Sequence, residues 1–137
     1  MQSIDTPEPT PEIPGTTSST QETGTMRIEA ERRDDGVVLA RVRGEVDLLS
    51  APDLRTWLQE ELAAPARLVL DLDGVDFLGS AGLSVLAELV EKSGGGRLNW
   101  AIVAENRVVL RPLEATGLAE QMPLHADVDS AVKAVLP

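Results

Sequence analysis

The spacing of apolar positions changes period along the chain, and each change predicts an element. Met26, Ile28 and Ala30 alternate with Arg27, Glu29 and Glu31, the period of two of a half-buried strand. Arg33-Asp34-Asp35-Gly36 ends in the Asp-Gly pair of a hairpin turn. Val37 to Arg43 then returns as a second strand, with Val38, Ala40 and Val42 on one face and Arg41 and Arg43 on the other. Ser50-Ala51-Pro52-Asp53 has the form of a capping box with Pro in the first turn. Leu54, Trp57, Leu58 and Leu62 follow at helical spacing, and Pro65 stops the helix. Leu68-Val69-Leu70-Asp71-Leu72 is a short apolar run, as in a strand covered on both faces.

Asp73-Gly74 is expected to turn the chain and Val75 to Leu78 to cross back. Gly79-Ser80-Ala81-Gly82 opens a helix whose inner stripe is Leu83, Leu86, Ala87 and Val90, with Leu89 and Val85 beside them, Glu88 placed to pair with Lys92 and Gly94 as its C-terminal cap. Arg97 to Val103 predicts a further strand. Asn106 caps a helix through Leu110, which Pro112 should kink or interrupt. Met122-Pro123-Leu124 suits a short edge piece, and Asp127 caps a last helix with Val128, Ala131, Val132 and Val135 inward.

This order, β-β-α-β-α-β-α-α, predicts a single α/β domain over residues 26–137. It should have a mixed sheet of four to five strands, about four helices packed on it, and right-handed crossovers. Met1 to Thr25 reads differently. It holds Pro7, Pro9, Pro11 and Pro14, ten Ser/Thr, four carboxylates and no Lys or Arg. Such a stretch buries too little apolar surface to offset its ordering entropy, so residues 1–25 are expected to form a disordered acidic tail, dispensable for folding.

Net charge narrows the partners. It is −11 over the 137 residues, and the part beyond Thr25 keeps 19 acidic against 12 basic residues. That argues against binding nucleic acid or an anionic membrane. There is no cysteine, and no apolar run nears the ~20 residues of a membrane span. A cytoplasmic protein acting through another protein is expected.

Enzyme chemistry has little to work with. The only histidine, His125, lies in a polar stretch, and the surroundings of Ser80 do not follow the Gly-x-Ser-x-Gly elbow of a serine hydrolase. Asp71, Asp73 and Asp76 are close in sequence, but turn and cap roles explain them better than a metal site. Ser93-Gly94-Gly95-Gly96 lacks the Lys-Ser/Thr pair of a phosphate loop. No catalytic residue, metal or cofactor is assigned.

The run Leu68 to Leu86, LVLDLDGVDFLGSAGLSVL, resembles the signature of the STAS domain, in particular of the bacterial anti-sigma factor antagonists. The resemblance extends to Gly44-Glu45-Val46-Asp47 and to Leu113-Glu114-Ala115-Thr116-Gly117-Leu118. It implies a STAS fold and a switch by phosphorylation. The family's phosphorylated serine maps to Ser80. The implied partner is an anti-sigma factor that is commonly also the serine kinase, with a phosphatase as a further partner. The unphosphorylated antagonist would bind it and free the sigma factor, and the phosphorylated form would let go. Gly44, Glu45 and Asp47 match the loop beside that serine, so they join Gly79, Ser80, Ala81 and Gly82 as the expected partner surface. Asp47 is expected to serve that surface rather than the fold. Gly79 departs from the family, which most often has Asp there; the helix cap is nearly kept but a carboxylate beside the hydroxyl is lost. Other STAS roles stay open: a non-phosphorylated scaffold subunit of a stress-signalling assembly, an accessory subunit of a lipid transporter, or a ligand-binding module.

Overall fold

The structure, a computed structural model, describes residues 17–63, 66–93 and 98–136. The strict alternation at Met26 to Arg32 folds as predicted into a strand (β2, Met26–Arg32) with Met26, Ile28 and Ala30 buried. It is preceded by a strand from Thr17 to Thr23 (β1) and followed by one from Val37 to Val46 (β3). A helix (α1, Ala51–Glu61) leads to the longest strand (β4, Ala66–Leu78) and its following helix (α2, Ser80–Ser93). Then come β5 (Leu98–Val103), α3 (Arg107–Ala115), a single 3-10 turn at Leu118–Gln121, β6 (Leu124–His125) and α4 (Val128–Val135).

The strands form one sheet in the order of the chain. β1, β2 and β3 pair antiparallel, and β3, β4, β5 and β6 pair parallel. This is the expected mixed sheet, with six strands among the described residues rather than four to five. The added strand is β1. Thr17 to Thr23, assigned by composition to a tail that ended at Thr25, pair residue for residue with Arg32 to Met26. Composition missed it because β1 buries no side chain in the core; what holds it is the main-chain ladder, which carries no sequence signal. The remainder of the expected tail, residues 1–16, lies outside the described residues.

The consecutive apolar residues of β4 do what a doubly covered strand requires. Leu68, Leu70 and Leu72 face a core closed by α1, α2 and α3, through Leu54, Trp57, Leu58, Val85, Leu86, Leu89, Val109 and Leu113. Val69 points to the opposite face with Val37, Leu39, Ala101 and Val103, where Ala131, Val132 and Val135 of α4 cover them. Each fully buried Leu or Val contributes about 1.5–3 kcal/mol, so β4 is tied to both layers.

Three local expectations are corrected. Asp73-Gly74 does not turn the chain: β4 runs through it, and two register shifts against β3 absorb the irregularity. The Asp73 carboxylate that would have closed a local turn accepts instead from the amides of Glu105 (2.6 Å) and Asn106 (3.1 Å), just before α3. Pro112 sits inside α3 without ending it, and Asn106 caps that helix through the Val108 amide (2.9 Å). Glu88 turns from Lys92 toward α1, where its carboxylate accepts from Arg55 at 2.9–3.1 Å.

Of the described glycines, Gly44 leaves the least room for a side chain. Its φ is +84°, and a Cβ there would lie 2.0 Å from the Thr25 carbonyl oxygen. The β1–β2 turn is thus pressed against the end of β3, and the clash is with backbone, which cannot swing aside. Gly44→Ala is expected to cost at least about 2 kcal/mol, the strained φ alone being about 1–3 kcal/mol. Chemical denaturation measures this; a loss under about 0.5 kcal/mol, the scatter of neutral surface changes, would show that the approach is not as close as described.

Candidate functional site

β3 and β4 end side by side: Glu45 lies opposite Phe77, and Val46 opposite Leu78. The Gly79 amide then donates to the Val46 carbonyl (3.0 Å), and α2 begins at the next residue, Ser80. Gly82 completes the joint. A Cβ there would lie 2.7 Å from Leu78 Cδ1 and 2.8 Å from Val46 Cγ1, so only glycine lets the first turn of α2 rest on the strand ends. Two segments far apart in sequence, 44–50 and 77–82, are brought to one end of the sheet.

The first segment is held by Asp47. Its Oδ1 accepts from the amides of Leu49 (3.1 Å) and Ser50 (2.9 Å). The buried Ser50 hydroxyl accepts from the Asp47 amide (2.9 Å) and lies 2.9 Å from both Asp47 Oδ1 and the Glu45 carbonyl, to one of which it donates. These bonds hold the Asp47 carboxyl below the usual range, the Ser50 amide foremost and then the Ser50 hydroxyl. The predicted capping box is therefore replaced. Ser50 makes no side-chain bond to the helix behind it; Asp47 and Ser50 close the loop in front of it instead.

Such a loop pushes its two central side chains outward. Leu48 is 79% and Leu49 84% exposed, and Phe77 across the strand ends is 50% exposed. The Phe77 ring also lies over Gly79, 3.0 Å from where a Cβ would stand. The backbone of Gly79 needs no positive φ, so glycine there leaves room for the ring rather than satisfying a turn. Ser80 is exposed, and among the described residues no side chain or backbone group engages its hydroxyl, although its carbonyl accepts from the Ser84 hydroxyl (3.1 Å). Segments 44–50 and 75–84 contain Glu45, Asp47 and Asp76 and no Lys or Arg.

All seven residues expected from the sequence thus gather at this end, in different capacities. Glu45 and Ser80 are exposed; Gly44, Asp47, Gly79 and Ala81 are half-buried; Gly82 is buried in packing. The apolar residues were not anticipated. Leu48 and Leu49 could have been suspected as an apolar pair fitting neither the strand before them nor the helix after. Elsewhere, Asp71, Asp73 and Asp76 do not converge: among the described residues no group of three His, Cys, Asp or Glu could hold a metal ion. None of the described helices is long and apolar enough to cross a membrane. His125 serves the fold through its carbonyl, which accepts from the Ala104 amide (3.0 Å).

A family model of the STAS domain matches residues 27–131. The chain belongs to the STAS domain family. Among its STAS relatives, the anti-sigma-F factor antagonist RsfB of Mycobacterium tuberculosis is 36% identical over 102 residues, 74% of this chain and 83% of that protein. The antagonist RsfA of the same organism is 32% identical over 103 residues, 73% and 80% of the two chains. Of solved structures, an anti-sigma factor antagonist from Mycobacterium paratuberculosis superposes with a TM-score of 0.69 at 34% identity, covering 90% of this chain and 97% of that one. A putative antagonist from Thermotoga maritima, 23% identical, shares the fold at a TM-score of 0.69 over 77% and 92% of the two chains. Strand β1 lies before the stretch that the STAS model matches.

Removing the Asp47 carboxylate should therefore loosen the loop, against the expectation that it serves only a partner. Asp47→Ala is expected to lower the melting temperature and to speed amide exchange at Leu49 and Ser50. The sign of its pH dependence follows from the lowered pKa. The stabilisation is full above the unfolded-state value near 3.9 and fades as pH falls through the folded value. Wild type and Asp47→Ala should differ at pH 6 and converge in acid; an equal melting temperature at pH 6 would remove the carboxylate from the fold.

Proposed function

We propose that this STAS domain is an anti-sigma factor antagonist whose partner docks on the end of the sheet built from segments 44–50 and 77–82, and that phosphorylation of Ser80 is its off-signal. The observation that carries the reading is a Ser80 hydroxyl, engaged by none of the described residues, at the start of α2, on the same sheet end as the exposed Leu48, Leu49 and Phe77. The relatives named as antagonists support the choice of partner class.

The physical logic is one of desolvation. Leu48 and Leu49 gain free energy when a partner covers them, about 1.5–3 kcal/mol for each leucine fully buried. A neutral hydroxyl can enter such a contact at small cost. A phosphoserine adds about −1.5 to −2 charges, and an apolar interface supplies no cation to meet it. In the free domain the same phosphate is tolerated, because it sits at the positive end of α2 with water on its open side. The switch thus acts on the complex and leaves the fold alone. The partner is an anti-sigma factor that is also the serine kinase, working in the cytoplasm, and a phosphatase resets the antagonist. Gly79 leaves the hydroxyl without a neighbouring carboxylate, so the base that accepts its proton is supplied by the kinase.

Two sets of variants test this. Ser80→Ala should bind the anti-sigma factor as wild type does and resist release by ATP. Ser80→Glu should stay folded and lose binding by more than about tenfold, or 1.4 kcal/mol. Leu48→Ser with Leu49→Ser should weaken binding by at least about 100-fold, from two lost leucines, with an unchanged melting temperature because neither is buried in the free domain. Mass spectrometry after incubation with the kinase and ATP should find phosphate on Ser80. Phosphate on Thr116 or nowhere, or full affinity in the leucine variant, would overturn the reading.

A further inference from the structure

The hairpin formed by β1 and β2 touches the loop of the proposed partner site at both of its ends. At the near end, the Thr25 carbonyl is packed against Gly44, where a Cβ would stand 2.0 Å from its oxygen. At the far end, the Thr23 hydroxyl donates to Asp53 Oδ2 at 2.5 Å, in the first turn of α1. That turn is continuous with the loop: the amides of Asp53 (3.1 Å) and Leu54 (3.2 Å) donate to the Ser50 carbonyl, and the Ala51 amide to that of Asp47 (2.9 Å). Between the two anchors, Leu48 and Leu49 are exposed and the loop is closed only by the short bonds among Glu45, Asp47, Leu49, Ser50 and Ala51. A short exposed loop of this kind opens locally at a lower free energy than the core, and freeing one of its ends lowers that further. The far anchor depends on a residue before the stretch that the family model matches, which begins at Arg27.

We infer that Thr23 is a positioning residue for the Leu48–Leu49 loop, through its hydrogen bond to Asp53. Strand β1, although it buries nothing in the core, is then a control element. When it is docked, the two leucines are presented in one arrangement; when it is released, the loop samples several and the partner must order it on binding. That second consequence rests on the function proposed above, whereas the effect on the loop does not.

The test uses the full chain and Thr23→Val, which keeps the β-branched shape of a strand residue and removes only the hydroxyl. NMR measurement of amide exchange should show Leu49 and Ser50 opening at least about threefold faster, while the core amides Leu70 and Ile102 keep their rates, as in local rather than global opening. Thr23→Ser should restore wild-type exchange. Asp53→Asn, which weakens the bond from the acceptor side, should reproduce the Thr23→Val pattern and serves if Thr23→Val does not fold. Unchanged exchange at Leu49 and Ser50, acceleration of core and loop amides alike, or no recovery with Thr23→Ser would overturn the inference. Affinity for the anti-sigma factor recovered with wild type should fall in Thr23→Val and return in Thr23→Ser. Absence of anti-sigma binding by wild type would sink the proposed function, and the exchange result would still decide the role of Thr23.

Discussion

The hydrogen bond from the Gly79 amide to the Val46 carbonyl, 3.0 Å long, is the joint at the end of the sheet proposed above to meet the partner. It fastens the strand that enters the Asp47 loop to the strand that leads into α2. It extends the β3–β4 pairing, in which Val46 lies opposite Leu78, to the residue before α2. Two glycines make it reachable. Gly44 lets β3 pass the β1–β2 turn with a left-handed residue, and Gly82 lets the first turn of α2 settle between Val46 and Leu78. The parallel pairing of β3 with β4, shifted twice in register, brings the two strand ends level. The long apolar body of β4 keeps them there, because it is gripped by helices on both faces.

On that frame the site is made of opposites. Asp47 and Ser50 use their polar groups on the loop itself, and the leucines between them are left exposed. Ser80 stands at a helix start, and among the described residues nothing engages its hydroxyl. Under the proposed function, an apolar surface covered by the partner beside one hydroxyl that becomes charged on phosphorylation would be enough for a binary switch. No internal rearrangement is required. The domain's acidic character matters less than the dryness of the contact, since a charge is most costly where it cannot be solvated.

Much of this was legible in the sequence, for reasons that differ by element. The alternation at Met26 to Ala30, the apolar run at Leu68 to Leu72 and the Asp127 cap are local consequences of burial and orphan amides, and they folded as read. Ser80 and its neighbours came from a resemblance to a family motif. Strand β1 was illegible because its Ser, Thr, Gln and Glu side chains carry no apolar period and its hold is a backbone ladder. The straight passage of β4 through Asp73-Gly74 was hidden because the acceptor needed for a turn is used by amides more than thirty residues away. The capping box at Ser50 was displaced by Asp47, a competitor three residues upstream. Leu48 and Leu49 show the limit of periodicity: it finds residues that pack within the chain, and these two are largely exposed among the described residues.

The central claim is that a phosphate on Ser80 works by desolvation in an apolar contact rather than by long-range repulsion. Calorimetric titration of the anti-sigma factor with unphosphorylated and Ser80-phosphorylated protein, from low salt to about 1 M, where the screening length is about 3 Å, separates the two. Desolvation predicts a loss of affinity on phosphorylation that is nearly the same at every salt concentration. A loss that vanishes at high salt, or phosphorylated protein that binds as tightly as unmodified protein throughout, would contradict it.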